Sequence, residues 1–373
     1  MSALRGAFCP ADYDSFSPGD GSLMNPQRWL QAVCCLVIAL STLAVVGNAS
    51  AAWKEKVLYS FQGGSDGYQP AGGVVFDKAG NLYGVNSWGG SGGCPDPGCG
   101  TVFELSPPTQ KGGAWTETTI YAFQSVLGNV KDGFTPAGSV IMDQAGNLYG
   151  TTSLGGNGPC ILLGSATGCG IVYKLSPPKQ KGGQWTETIL HNFQSGTDGY
   201  FPWGDLAFDK NSNLYGATQF GGGKGTTCNQ FYGGTCGTVF KLSPPSKKKG
   251  KWKEDILHSF AGVAKNQQSG DGAIPNGGLI LDSQGAVYGT TQFGGYQKGV
   301  CNPGGCGTAL QLSPPTQKGG SWAETLLHEF NADSNEAQPG TGMTFDGNGY
   351  LYGTTVASVF RLKPPVTKSG KWN

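Results

Sequence analysis

Charge of one sign is missing from this 373-residue chain: 25 basic and 24 acidic residues leave a formal charge of +1, and charged residues make up only 13%. Nucleic-acid binding normally needs a basic stripe, and none is present, so no nucleic-acid partner is expected. The densest basic run, Lys247-Lys248-Lys249-Gly250-Lys251-Trp252-Lys253, is too short and reads as a solvated turn. Long apolar runs are equally scarce. The one at Trp29–Val46 follows Arg28 and precedes Ala49-Ser50-Ala51, the layout of a signal peptide spanning about residues 24–51, with Met24 as a plausible start. Residues 1–52 are therefore assigned to an N-terminal extension and signal peptide. No membrane span is expected in the mature chain, which is expected to be secreted or held in the cell envelope. An uncleaved signal anchor is the competing reading of that run.

Catalytic signatures are lacking too. No G-x-S-x-G, H-E-x-x-H, phosphate-binding or dinucleotide motif occurs in a supporting context. There are only three histidines, and His191, His258 and His328 hold one and the same repeat position, where Tyr59 and Tyr121 stand in other repeats. A residue interchangeable with tyrosine on separate strands is expected to pack or to form a polar edge, so neither metal nor cofactor is expected.

What the chain has in quantity is glycine, 65 residues, together with 22 prolines and 11% aromatics at regular intervals, the composition of short strands joined by turns. A Trp-led segment recurs at Trp53, Trp115, Trp185, Trp252 and Trp322, and once more at Trp372. Between these lie an apolar segment ending in Asp, a tight turn and a Leu-Tyr-Gly segment: VVFDKAGNLYG at Val74–Gly84, VIMDQAGNLYG at Val140–Gly150, and counterparts at Leu206–Gly216, Leu279–Gly289 and Met343–Gly353. Asp followed by Gly and Asn between two β-rich runs is hairpin chemistry. Four strands per repeat is the count of a propeller blade.

The expected fold is all-β, a five-bladed β-propeller of four-stranded blades over residues 53–373, with the Asp-ending strand innermost and the Trp-led strand outermost. Blades 1 to 4 run Asp66–Phe123, Asp132–Phe193, Asp198–Phe260 and Asp271–Phe330, and the fifth starts near Pro339. That last blade lacks an outer strand, whereas Trp53–Phe61 is an outer strand without a blade. The N-terminal strand is therefore expected to close the ring, which also removes an exposed sheet edge. An open β-solenoid is the rival architecture.

The string D-x-x-G-N-L-Y-G-T-T, followed by G-G, C-G-T-V-F-K-L-S-P-P and W-T-E-T, resembles the Gloeo_Verruco (GloVer) repeat of secreted bacterial proteins, with full matches around Gly146–Thr152 and Cys236–Pro245. Blade 4 departs at Gly285-Ala286-Val287 and blade 5 lacks the long loop. The resemblance implies an extracytoplasmic repeat protein and carries no activity. Relatives are often surface-anchored by a C-terminal segment, which is not expected here.

Cys9, Cys34 and Cys35 fall in the N-terminal extension. The other eight cysteines form local pairs Cys94/Cys99, Cys160/Cys169, Cys228/Cys236 and Cys301/Cys306, each in the loop between the second and third strands of a blade. In an oxidising compartment such pairs read as disulfides that pin those loops.

Two acidic series recur. Asp77, Asp143, Asp209, Asp282 and Asp346 precede the hairpin turns and are expected to accept turn N–H groups. Asp66, Asp132, Asp198 and Asp271 open D-G-x-x-P turns that lead into the innermost strands. The cystine loops should emerge on the same face as those turns. Tyr68, Phe134 and Tyr200 lie beside the turns, and Trp88, Phe220, Phe293 and Tyr296 beside the loops. Aromatic rings on pinned loops suit stacking on sugars or peptide recognition. The expected function is a non-catalytic binding or interaction module for an extracellular glycan or surface protein, with these four aspartates and the aromatics Tyr68, Trp88, Phe134, Tyr200, Phe220 and Phe293 as ligand-binding candidates. A carbohydrate-active or lactone-cleaving propeller enzyme and a purely structural envelope protein are the alternatives.

Overall fold

A computed structural model of the chain describes residues 54–365 and 372, apart from 91–93, 95–96, 125–131, 163–164, 181, 224–234, 248–249, 263–269, 296–300, 302–303 and 332–336. The expected signal segment lies outside the described residues. Met1–Val57 forms one unit, of which only residues 54–57 are described, and Leu58–Asn373 forms a second. The second unit is the propeller: five blades of antiparallel sheet in a ring, with no α-helix among the described residues.

Blade 1 comprises strands Tyr68–Phe76, Leu82–Trp88, Thr101–Ser106 and Thr116–Ala122, paired in chain order. Blade 2 repeats this with Gly133–Met142, Leu148–Gly155, Ile171–Ser176 and Thr186–Asn192. In blades 3 and 4 the inner strand is split, as Tyr200–Pro202 with Ala207–Phe208 and as Ala273–Pro275 with Ile280–Leu281. The interruption falls where blades 1 and 2 have a bulge, between Ala71 and Val75 and between Ala137 and Ile141. In blades 1 to 3 a glycine in a left-handed conformation, Gly72, Gly138 or Gly204, stands there, and neighbouring inner strands approach backbone to backbone; a Cβ on Gly138 would lie 2.5 Å from the Gly204 carbonyl oxygen.

The strands Leu82–Trp88, Leu148–Gly155, Leu214–Phe220 and Val287–Phe293 are buried over most of their length, so the core lies between blades. The glycine of Leu-Tyr-Gly makes room for the aromatic of the third strand: a Cβ on Gly150 would sit 2.5 Å from the Tyr173 hydroxyl, and one on Gly216 as close to Phe240. Blades are then stitched by rings. Phe123 packs on Tyr173, Phe193 on Phe240 and Phe330 on Phe360, with centroids 4.9–5.2 Å apart, edge to face as π-quadrupoles prefer. The tryptophans that introduce the outer strands stand just before them, not in them. Their rings pack back on the preceding blade, as in Tyr83–Trp185, Tyr215–Trp322 and Tyr288–Trp372.

The fifth sheet has strands Thr344–Phe345, Leu351–Thr354 and Val359–Leu362. Phe61 lies 4.9 Å from Phe103 of blade 1, the relation Phe123, Phe193 and Phe330 have to their successor blades, and Tyr59 donates to Asp66 at 2.9 Å as Tyr121 does to Asp132. The N-terminal residues Tyr59–Phe61 thus occupy, toward blade 1, the seat of an outer strand. Backbone pairing of this segment is not seen among the described residues.

One conformational detail recurs in every blade. Gln69, Thr135, Phe201, Ile274 and Gln338 each precede a proline and each have φ between 54° and 57°. A side-chain-bearing residue pays roughly 1 kcal/mol or more there, and a following proline further favours extended backbone. The compensation is a seam hydrogen bond: Thr135 N–H donates to the Cys99 carbonyl, Phe201 to Cys169, Ile274 to Cys236 and Gln338 to Cys306 at 2.8–3.0 Å. The glycine after each of these cysteines abuts the following blade's proline. The Cys-Gly of one blade and the x-Pro of the next are two halves of one joint.

Candidate functional site

The hairpin turns behave as their chemistry requires. Asp143 accepts from Ala145 N–H and Asn147 N–H at 2.9 Å, from the Asn147 amide at 2.7 Å and from the Tyr149 hydroxyl at 3.0 Å, and Asp77, Asp209, Asp282 and Asp346 do much the same. These hydrogen bonds hold the Asp77, Asp143, Asp209 and Asp346 carboxyls below their ordinary pKa against the opposing pull of burial.

The turns before the inner strands and the loops between second and third strands do meet on one face: Gly90 N–H donates to Gly64 O, Gly156 to Asp132 O and Gly222 to Gly196 O, each at 2.8 Å. Disulfides join Cys94 to Cys99, Cys160 to Cys169 and Cys301 to Cys306, with Cα atoms 5.0–5.6 Å apart. Cys236 is also disulfide-bonded, while Cys228 and Tyr296 lie outside the described residues. The candidate aromatics sit at strand ends, not in the loops, because the inner strands begin right after the Asp-Gly turns. Tyr68 is directly opposite Trp88, Tyr200 opposite Phe220 and Ala273 opposite Phe293, so these positions share one level around the ring. Trp88 contacts Phe134 of the next blade at 5.9 Å; Tyr200 stacks on Phe220 at 5.3 Å, and Phe201 closes on the same ring at 5.7 Å. All six candidate aromatics are half-buried.

The candidate aspartates are turned the other way. Their carboxylates reach outward to the preceding outer strand and cap the turn between. Asp132 accepts from the Tyr121 hydroxyl at 3.1 Å and Gln124 N–H at 2.7 Å; Asp198 pairs with His191 at 3.0 Å; Asp271 pairs with His258 at 3.1 Å and Ala261 N–H at 2.8 Å. Each then meets a glutamate on the outer strand of its own blade, a residue the repeat reading left out. Its signal was present in the sequence as the invariant Glu two positions after each Trp, at Glu55, Glu117, Glu187, Glu254 and Glu324.

Burial, aided by the Asp132 charge, raises the Glu187 carboxyl from 4.5 to about 8; burial with Asp198 raises Glu254 to about 10; burial chiefly raises Glu324 to about 7. Asp198 is held low by hydrogen bonds from His191 and Glu254 although burial opposes them. The seams therefore alternate a phenol or imidazole, a carboxylate and a proton-holding carboxyl. Around the axis the blade-specific acid is Asp205, whose Oδ1 takes the Ser139 N–H, and Ser139 Oγ in turn accepts from Gly73 N–H at 2.6 Å.

The sequence profile of the family described as the Gloeobacter/Verrucomicrobia repeat matches residues 160–360. No curated protein matches the chain. Among solved structures it is similar to a gluconolactonase from Xanthomonas campestris (12% identity over 78% of this chain and 70% of that one, TM-score 0.39). It is also similar to an ulvan lyase of polysaccharide lyase family PL25 (12%, 78% and 66%, TM-score 0.42) and to an α-L-arabinofuranosidase from Lactobacillus brevis (12%, 82% and 92%, TM-score 0.38). Likenesses this distant assign no activity to this chain.

Proposed function

The chain belongs to the Gloeobacter/Verrucomicrobia repeat family, and from that membership we propose that it works outside the cytoplasm as a non-catalytic binding module whose cystine-loop face takes up an extracellular glycan. The observation that carries this reading is the level of half-buried aromatics, Tyr68, Trp88, Phe134, Tyr200, Phe220 and Phe293, held at strand ends over four successive blades. Trp88 and Phe134 brace one another, as do Tyr200 and Phe220, an arrangement suited to stacking on pyranose faces with little ordering cost. The cystines fix the adjoining loops and suit an oxidising compartment. The aspartates of the same turns support the site indirectly, by fixing the turn that presents each aromatic.

Glycan arrays and polysaccharide pull-downs test the reading. A ligand should be found, and Trp88→Ala combined with Phe220→Ala should weaken it by roughly ten- to a hundredfold, the loss of two stacking contacts of about 1 kcal/mol each. Wild-type binding by that double variant would remove this face as the site. Turnover of a lactone or glycoside would favour an enzyme instead, with Asp205 as its first acid to test.

A further inference from the structure

The seams between blades 2 and 3 and between blades 3 and 4 hold side-chain sets that the aromatic face does not use. His191 Nε2 lies 3.0 Å from Asp198 Oδ1 and 3.5 Å from Glu254 Oε1. His258 Nε2 lies 3.1 Å from Asp271 Oδ2 and 3.9 Å from Glu324 Oε2. In each set one nitrogen and two carboxylate oxygens come within 4.8 Å of one another. Each imidazole is oriented by edge-to-face contact with the phenylalanine two residues on, Phe193 at 4.8 Å and Phe260 at 4.7 Å.

Tetrahedral zinc with bonds of 2.0–2.2 Å separates its ligand atoms by roughly 3.4 Å. The nitrogen-to-oxygen edges, 3.0 to 3.9 Å, fall on both sides of that value and within about 0.5 Å of it. A second observation concerns the glutamates themselves. Glu254 Oε1 and Glu324 Oε1 are buried and take no hydrogen bond among the described residues, an expensive arrangement for a carboxyl oxygen. In the seam between blades 1 and 2 the Tyr121 hydroxyl takes the place of the imidazole, 3.1 Å from both Asp132 and Glu187 Oε2, and offers no nitrogen to an ion; Glu187 Oε1 is buried without a hydrogen bond there too. A groove of about 550 Å³ lined by Thr188, His191, Lys251 and Trp252 gives His191 an entry path.

We propose that these two seams are divalent transition-metal sites, best suited to zinc, with His191, Asp198 and Glu254 as the ligands of one and His258, Asp271 and Glu324 of the other. A water completes each tetrahedron. An imidazole ligand and a set of only three protein donors disfavour calcium and magnesium, which require oxygen-rich shells. Bound zinc would clamp adjacent outer strands across the seam, at two of the three blades that carry histidine in place of the tyrosine.

The test is zinc titration of chelator-treated, full-length mature protein, followed by calorimetry and by metal analysis after dialysis. Wild type should retain zinc at both seams, His191→Tyr should lose one equivalent, and His191→Tyr with His258→Tyr should lose two. Tyrosine is native at the matching position 121, which favours correct folding of these variants; Glu254→Gln, nearly isosteric, serves as the second probe and should weaken one site. Excess calcium should not compete. No zinc uptake by the wild type, or uptake undiminished in both the double histidine variant and Glu254→Gln, overturns the proposal.

Discussion

Replacing Glu187 by glutamine should make the protein more resistant to alkali. In the folded chain Glu187 keeps its proton to about pH 8, wedged between Tyr121 and Asp132, whereas an unfolded glutamate releases it near 4.5. Between those values the folded state binds more protons than the unfolded one. Stability contributed by this group is therefore fully present below about pH 4.5, erodes as pH rises, and is gone once pH passes about 8. The slope is up to about 1.4 kcal/mol per pH unit, which over the window sums to an upper bound near 5 kcal/mol. Partial solvent access at the seam screens the interaction and brings the expected figure to about 2 kcal/mol. Glutamine keeps the shape, an N–H for Asp132 and a carbonyl for Tyr121, but has no proton to lose. Urea unfolding of wild type and Glu187→Gln at pH 5 and pH 9, with disulfides intact, reads the difference. The two should be nearly equal at pH 5 and the variant more stable by about 2 kcal/mol at pH 9. Parallel stability curves across that range would refute the seam chemistry.

Two further outcomes follow from the joints between blades. Gly237→Ala should cost about 3–5 kcal/mol, since φ is 97° and the new methyl would meet the Thr218 carbonyl and, at 2.7 Å, Pro275 Cδ across the seam. Gly285→Ala, also at positive φ but with open space around it, should cost only about 1 kcal/mol; thermal melts distinguish the two, and equal losses would discard the joint as the cause. For ring closure, the register Thr101↔Ala122, Thr238↔Ser259 and Thr308↔Glu329 places Ser358 opposite Ser60. Ser60→Cys with Ser358→Cys should oxidise spontaneously to an intrachain disulfide, detectable by mass spectrometry; two persistent free thiols would argue against closure by the N-terminal strand.

The parts of this molecule that were readable in advance are those whose partners lie close in sequence. Asp143 finds every one of its turn donors within six residues, and Cys160 its partner nine residues on, so pattern alone identified them. The blade order followed from the repeat itself. The seam clusters were out of reach because their members come from different repeats: Tyr121 and Glu187 are 66 residues apart, and an outer-strand glutamate reads as solvated until the preceding blade covers it. Aligning His191 with Tyr121 correctly identified one position without revealing the acids it faces. The left-handed residues before proline were invisible for another reason. Local preference argues for extended backbone at Thr135 and Ile274, and only the carbonyls of Cys99 and Cys236 override it.

The joint of Cys-Gly to x-Pro also bears on how the ring is assembled. It links Cys99 to Thr135, Cys169 to Phe201, Cys236 to Ile274 and Cys306 to Gln338, so each bond is formed over fewer than 40 residues of chain. Loop-closure entropy at that span is modest and nearly equal for every joint, so blades can be added one after another in chain order. Pairing Ser60 with Ser358 is different, since it must bring together nearly the whole length of the propeller and recovers its entropy only when all five blades are in place. Folding should therefore be a zipper with a late latch: four quick, alike steps and one slow step that makes the molecule a ring.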